Sequence, residues 1–223
     1  MQIFRSLIST IISFISVTLF PLILTAKYPY HYDQSTLISL VMVFSIILYI
    51  NFFIPLHPNK YFNIVYLIIM TLLVYQNYRI IFSIQLVNLF FCQLFIAFIA
   101  NRFEKIQNLL CLFVIPIFTT VLLIYSLFHF IAPSNIIITI LINFLVLLLQ
   151  INKTIKEQLL ALISIIIILI ALYLLKYLSM ITAVSYLLIY LANLLISKYL
   201  SNRFKSDKNS IFRIIFSLLN LIS

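Results

Sequence analysis

Long apolar runs separated by short polar connectors fill almost the whole chain. A membrane-spanning helix takes roughly 17–25 predominantly apolar residues. The first such run, residues 3–26, stops at Lys27-Tyr-Pro-Tyr-His-Tyr-Asp33, and the second covers residues 37–55 ahead of Pro55 and Pro58. Residues 61–100 are then apolar with one polar interruption, Gln76-Asn77-Tyr78-Arg79. At about 1.5 Å per residue a single helix there would be near 60 Å long, about twice the hydrocarbon thickness of a bilayer. The chain must therefore turn at that cluster, giving spans 61–75 and 80–100. The run 109–151 divides at Pro133-Ser134-Asn135, because proline cannot continue a helix and biases the residue before it away from helical geometry. The run from 159 to 200 divides near Ser179 to Thr182, giving spans 109–132, 136–151, 159–178 and 183–200. The expected fold is an all-α integral membrane protein of about eight helices arranged as tandem hairpins. Residues 201–223 form a basic tail.

Charge placement fits this layout. With eight spans, Arg5, Lys60, Arg102, Lys105, Lys153, Lys156, Arg203, Lys205, Lys208 and Arg213 share one side, whereas Lys27, Arg79 and Lys176 lie at the other. Basic residues concentrate on the cytoplasmic side of membrane proteins, so both termini are expected to be cytoplasmic, or in the matrix of an organelle. The first span resembles a signal sequence in placing Arg5 before an apolar run, yet it is long and lacks an A-x-A site, so it is expected to remain uncleaved. In the tail, Arg213, Ser217 and Asn220 fall at i, i+4 and i+7 among Ile, Phe and Leu. That spacing predicts an amphipathic helix lying on the inner surface.

The connectors Asn101-Arg-Phe-Glu-Lys105, Asn152-Lys-Thr-Ile-Lys156 and Asn202-Arg-Phe-Lys205 begin alike at a spacing of about 50 residues, and one more step back reaches Asn51. Such a period is the mark of repeated units; short helical hairpins in a Lys- and Asn-rich chain would produce the same spacing.

Composition narrows the chemistry. The 223 residues are 65% hydrophobic and 8% charged, with a net charge of +10 and no glycine or tryptophan. Soluble domains carry about 45–50% apolar and about 25% charged residues, so the chain needs a bilayer around it. Without glycine there is no phosphate-binding P-loop, dinucleotide fingerprint, serine nucleophile elbow or EF-hand loop. The basic charge is a matter of orientation and contact with anionic lipid; no nucleic acid is expected as a partner. All four acids, Asp33, Glu104, Glu157 and Asp207, fall in connectors or the tail, which removes the carboxylates that intramembrane proteolysis and ion coupling need. Lys176 is close enough to a span end to snorkel. Cys92 and Cys111 differ in depth by about 9 Å at the rise of a helix, too far for a disulfide.

Three groups of polar residues stand out. His31, Asp33 and His129 share the outer side and form a candidate transition-metal set; the competing assignment is an interfacial loop anchored by Tyr28, Tyr30 and Tyr32. No cofactor is expected. In the fourth span Gln85 and Asn88 share a face with Cys92, with Gln93 beside them. In the eighth, Tyr186, Tyr190, Asn193 and Ser197 line one face, and Asn143 in the sixth span can join either set. These faces suit interhelical hydrogen bonding or, less directly, a polar path for a neutral or zwitterionic substrate. Pro116 is expected to kink the fifth span.

No nucleophile, acid–base pair or cofactor motif emerges, so no enzymatic activity is expected. The leading expectation is a non-catalytic, multi-spanning subunit anchoring a larger membrane complex, with the lipid bilayer and other membrane subunits as partners. One alternative is the permease subunit of a transporter for a neutral or lipid-like substrate, energised by an ATPase or other cytoplasmic partner at the basic connectors. A further alternative is a membrane sensor domain, which resembles the multi-span input domains of peptide-sensing histidine kinases in layout only. The dominance of Ile, Leu, Phe, Tyr, Asn and Lys points to an AT-rich genome, hence to a bacterial inner membrane or an organellar inner membrane.

Overall fold

A computed structural model describes residues 2–53, 64–66, 68–69, 71–72, 75, 110–151, 155–199 and 205–221. Most of these residues are helical, joined by short connectors, with no strand among them. Helix α1 is Gln2–Leu24, and α2 is Gln34–Leu48, continued by a π-helical turn at Tyr49–Phe53. A second π-helical turn, Leu110–Val114, leads into α3, Ile115–Phe128; α4 is Pro133–Ile151, α5 Ile155–Leu174 and α6 Met180–Tyr199. The tail forms α7, Lys205–Leu218, ending in a 3-10 turn at Leu219–Leu221. Among the described residues three segments are long and apolar enough to cross a membrane, Ser6–Leu24, Gln34–Phe52 and Lys156–Leu174; Ile115–Phe128, Pro133–Leu149 and Met180–Leu194 are shorter apolar helices. Of the expected spans, 61–75 is described only in part, and 80–100 lies outside the described residues with Asn101, Asn152 and Asn202 of the repeat.

The helix ends follow from local chemistry. Asp33 is extended at φ −107° and ψ 178°, and its carboxylate accepts the Thr36 N–H, so it caps α2. Ser179 does the same for α6, its hydroxyl accepting the Thr182 N–H at 3.2 Å. The break between α5 and α6 therefore falls at residues 175–179, a few residues before the expected 179–182. C-terminal caps that ordinarily use glycine are made here by His129 at φ 56° and Lys176 at φ 60°. The His129 N–H returns to the Tyr125 carbonyl at 2.9 Å, a single αL cap. Lys176 N–H bonds the Tyr173 carbonyl at 3.0 Å while Tyr177 N–H bonds that of Leu172 at 3.0 Å, a Schellman motif.

Both interior prolines are accommodated. Pro21 lies within α1 and has no N–H to give the carbonyl four residues earlier, that of Val17. The Thr120 hydroxyl of α3 donates to that carbonyl instead, at 3.3 Å. Pro116 sits in the first turn of α3, directly after the π-helical turn Leu110–Val114, where a proline needs no N–H.

The core gathers Phe20 of α1, Ile124 of α3, Leu145 of α4, Ile165 of α5, Tyr186 of α6 and Phe216 of α7. Helix α5 buries Ala161, Ile165 and Leu169, with Leu162, Ile168 and Leu172 partly buried beside them, while Leu160, Ile167 and Leu174 are 70%, 61% and 71% exposed. Close approach between helices uses hydroxyl pairs, such as Ser39 with Ser126 at 2.8 Å and Ser13 with Ser210 at 2.9 Å.

The tail departs most from expectation. Helix α7 forms, but not as a surface helix: it packs chiefly on α1, with Arg213, Ser217 and Asn220 buried and Ile211 and Leu218 turned outward. The contacts Ser13 with Ser210, Ser16 with Arg213 and Lys27 with Asn220 run in the same order along both helices, so α7 lies parallel to α1. Its end sits beside Lys27, at the opposite end of the bundle from Gln2. This corrects one expectation: Arg213 is buried in the bundle and not on a basic surface. The physical reason is that the polar stripe finds hydrogen-bonding partners on α1 and α4, which reading the tail as an isolated helix leaves out.

Candidate functional site

The interior of the bundle holds a chain of polar side chains drawn from α1, α4, α6 and α7. Arg213 is 5% exposed. Its Nε donates to Asn143 Oδ1 at 2.8 Å and its Nη1 to the Ser16 hydroxyl at 3.2 Å, and it has interactions beyond these two. Both acceptors are themselves held: Asn143 Nδ2 donates to the Thr139 carbonyl at 2.8 Å, and Ser16 donates to the Ser13 carbonyl at 2.7 Å. Such second hydrogen bonds fix the orientation of the groups facing the guanidinium. Farther along α7, Asn220 Nδ2 donates to the Tyr186 hydroxyl at 2.8 Å, and Tyr186 donates to the Phe216 carbonyl at 3.3 Å. Lys27 Nζ closes this end by donating to the Asn220 carbonyl at 3.1 Å.

Of the sequence-predicted polar residues, Tyr186 of α6 and Asn143 of α4 therefore meet the polar stripe of the tail. Tyr186 and Tyr190 are fully buried. Asn193 is 1% exposed, and neither its amide nitrogen nor its amide oxygen has a hydrogen-bond partner. Gln85, Asn88 and Gln93 lie outside the described residues. Sequence reasoning missed the α1 side of the cluster. Its signal was present: Ser6, Ser9, Ser13 and Ser16 recur at i, i+3, i+7 and i+10, one face of a helix, matching the spacing of Ser210, Arg213, Ser217 and Asn220.

A second group lies in the connectors at the Lys27 end. The imidazoles of His31 and His129 stack with ring centres 5.5 Å apart, and the His31 N–H donates to the Leu127 carbonyl at 2.8 Å. Asp33 is turned to capping: besides the Thr36 N–H, it accepts the hydroxyls of Ser35 at 2.8 Å and Thr36 at 2.9 Å. Slight burial raises its pKa, but these hydrogen bonds and the charge of His129 outweigh it, holding the carboxyl below its ordinary value. Among the described residues no three His, Cys, Asp or Glu side chains lie close enough together to hold a metal ion. Around the pair, Tyr28 packs edge-on against Phe128 and Phe130.

The two groups do different work. The interior one joins four helices through directional bonds to a charged group, while the connector group ties residues 31–36 to the end of α3. Compared with models of known protein families, with curated proteins and with solved structures, the chain matches none.

Proposed function

We infer that the protein is a non-catalytic, multi-spanning subunit that anchors a larger membrane complex. The observation that carries this reading is how the chain distributes its side chains. Ser16, Asn143, Tyr186, Arg213 and Asn220 of the interior are bonded among themselves, whereas α5 leaves a broad apolar surface, including Leu160, Ile163, Ile167 and Leu174, uncovered by the other described residues. Helices in a bilayer associate through packing and interhelical hydrogen bonds, so the first feature favours a bundle that holds one shape. The second offers a face for the helices of other subunits.

The test is a photo-crosslinking group placed at Ile167 in the full chain within its native membrane, with a second at Leu37 of α2 as control. Stoichiometric crosslinking to the same membrane subunits from Ile167, and not from Leu37, supports the reading; a monodisperse chain that crosslinks only to lipid from both positions sinks it. A permease reading draws on Arg213, because an ionisable residue inside a membrane bundle is expensive to keep and points to function by default. Substrate-dependent flux through reconstituted vesicles, lost on Arg213→Gln without loss of folded protein, would favour it.

A further inference from the structure

A cavity of about 240 Å³ lies between α1, α2 and α3 at the Lys27 end of the bundle, with Thr18, Pro21, Leu22, Tyr30, Tyr32 and Leu123 among its walls. It is separate from the Arg213 cluster and from the α5 surface. Its inner wall is closed to polar ligands by local bonding. The Thr18 hydroxyl donates to the Phe14 carbonyl at 2.9 Å and Thr25 to that of Leu22 at 2.7 Å, the Thr36 hydroxyl lies between the Asp33 carboxylate at 2.9 Å and the Ser126 carbonyl at 3.0 Å, and Pro21 has no N–H to offer. Most of the surface facing the space is apolar, with Pro21, Leu22, Leu40, Leu123 and Leu127 among its lining. At the mouth the character changes: Leu22 is 55% exposed, and Tyr30 and Tyr32, from the connector, are 53% and 64% exposed. Tyrosine is the residue that settles at the headgroup level of a membrane, with its ring in the apolar layer and its hydroxyl in the wet one.

We propose that this cavity holds one acyl chain of a bilayer phospholipid, entering beside Leu22 with its ester and headgroup region against the Tyr30 and Tyr32 hydroxyls. The volume suits this occupant, since at about 30 Å³ for each water-sized group it takes roughly eight methylenes, part of one chain and too little for two. A polar solute would leave its groups unmatched against the mostly apolar wall. The proposal rests on α1, α2 and α3 being embedded in a bilayer, and is independent of the anchoring role.

Burial supplies the test. Thr18, Leu123 and Leu127 are 6%, 1% and 5% exposed, so lipid covering the outer surface of the bundle cannot reach them. The full chain is reconstituted into phosphatidylcholine and phosphatidylethanolamine vesicles with trace phospholipid carrying a diazirine on its acyl chain, photolysed and mapped by peptide mass spectrometry. The expected result is label on Leu123, Leu127 and Thr18 as well as on exposed α5 residues. In Thr18→Phe, which fills the space, labelling of Leu123 should fall severalfold while that of Leu174 is unchanged. Label confined to exposed residues in the unaltered chain overturns the proposal, as does Leu123 labelling that persists in Thr18→Phe. Labelling of Leu123 by a diazirine fatty acid but not by the phospholipid overturns the choice of ligand. Recovery of the protein in the aqueous fraction overturns the proposal together with the membrane reading, which sets that failure apart from the others.

Discussion

Removing the bond between Arg213 and Asn143 tests whether α7 is held in the bundle. The Nε to Oδ1 separation of 2.8 Å is that of a charge-assisted hydrogen bond, a class worth about 1.5–3 kcal/mol. Interhelical bonds measured in membrane bundles average about 0.6 kcal/mol and reach about 1.7, so a coupling near 1.5 kcal/mol is expected for this pair. Arg213→Met strands Asn143 Oδ1 and takes a donor from Ser16, a loss of about 2 kcal/mol. Asn143→Leu does more harm, about 3 kcal/mol, because it leaves part of a buried charge without its acceptor. With that coupling, the double variant should lose about 3.5 kcal/mol and not the sum of about 5. Reversible unfolding in mixed micelles, followed by circular dichroism, gives all four corners of the cycle. A coupling below about 0.3 kcal/mol would refute the contact, and single variants both within about 0.5 kcal/mol of the parent would place α7 on the surface.

Three further outcomes are expected. With Cys92 and Cys111 replaced by Ser, Ser13→Cys combined with Ser210→Cys should form a disulfide under mild oxidation, since the parent hydroxyls are 2.9 Å apart and disulfides need Cβ atoms about 3.5–4.5 Å apart; failure to crosslink on a non-reducing gel would contradict the α1–α7 pairing. Thr120→Val should destabilise by about 1 kcal/mol through loss of the bond to the Val17 carbonyl, and by clearly less in a Pro21→Ala background, where the restored N–H serves that carbonyl; equal losses in both backgrounds would count against the substitution argument. Asp33→Ala should weaken α2 by about 1 kcal/mol as a lost cap. Because the folded-state pKa of Asp33 is lowered, its charge-dependent contribution is complete above the ordinary aspartate pKa of about 4 and fades as pH falls through the lower folded-state value. Hydrogen exchange in the first turn of α2 should then show Asp33→Asn and the parent converging only in strong acid, and a difference lost already at pH 6 would be inconsistent with it.

Spans of apolar residues were readable wherever the polar interruptions were strong. The expected 3–26 and 136–151 fall close to Gln2–Leu24 and Pro133–Ile151, because a proline-bearing or multiply polar connector leaves no alternative place to turn. The weak break near Ser179 was misplaced because a lone lysine with positive φ gives no sequence signal, whereas the stop at Leu174 depends on Lys176 adopting one. At the candidate site, the α6 face of Tyr186, Tyr190 and Asn193 was visible as periodicity, and so was the stripe of Arg213, Ser217 and Asn220. That Tyr186 of the one and Asn220 of the other would bond to each other was not. Pairing two helices distant in sequence is a tertiary fact, and a polar stripe on a short tail matches water as well as it matches a hydroxyl-lined helix until the other helix is identified. The serines of α1 carried that information, but in an apolar span they pass for scattered small residues.

The absence of glycine acquires a different meaning from these contacts. Membrane helices commonly use glycine to approach closely and to end in left-handed caps. Here Ser39 with Ser126 and Ser13 with Ser210 bring helices together through paired hydroxyls, and His129 and Lys176 take the left-handed cap positions. Each replacement has the same physical consequence. A glycine contact is a sliding surface without direction, whereas a hydroxyl pair or a guanidinium bonded to Asn143 fixes rotation and depth, because a shift of one turn, about 5.4 Å, breaks every bond in the stripe together. A helix end that forces a side-chain-bearing residue to positive φ costs about 1–2 kcal/mol, so it persists only where the packing around it determines it. Such a bundle resists helix sliding and hinge motion, and that resistance favours anchoring over a transport cycle that would have to break the Arg213 network on every turnover.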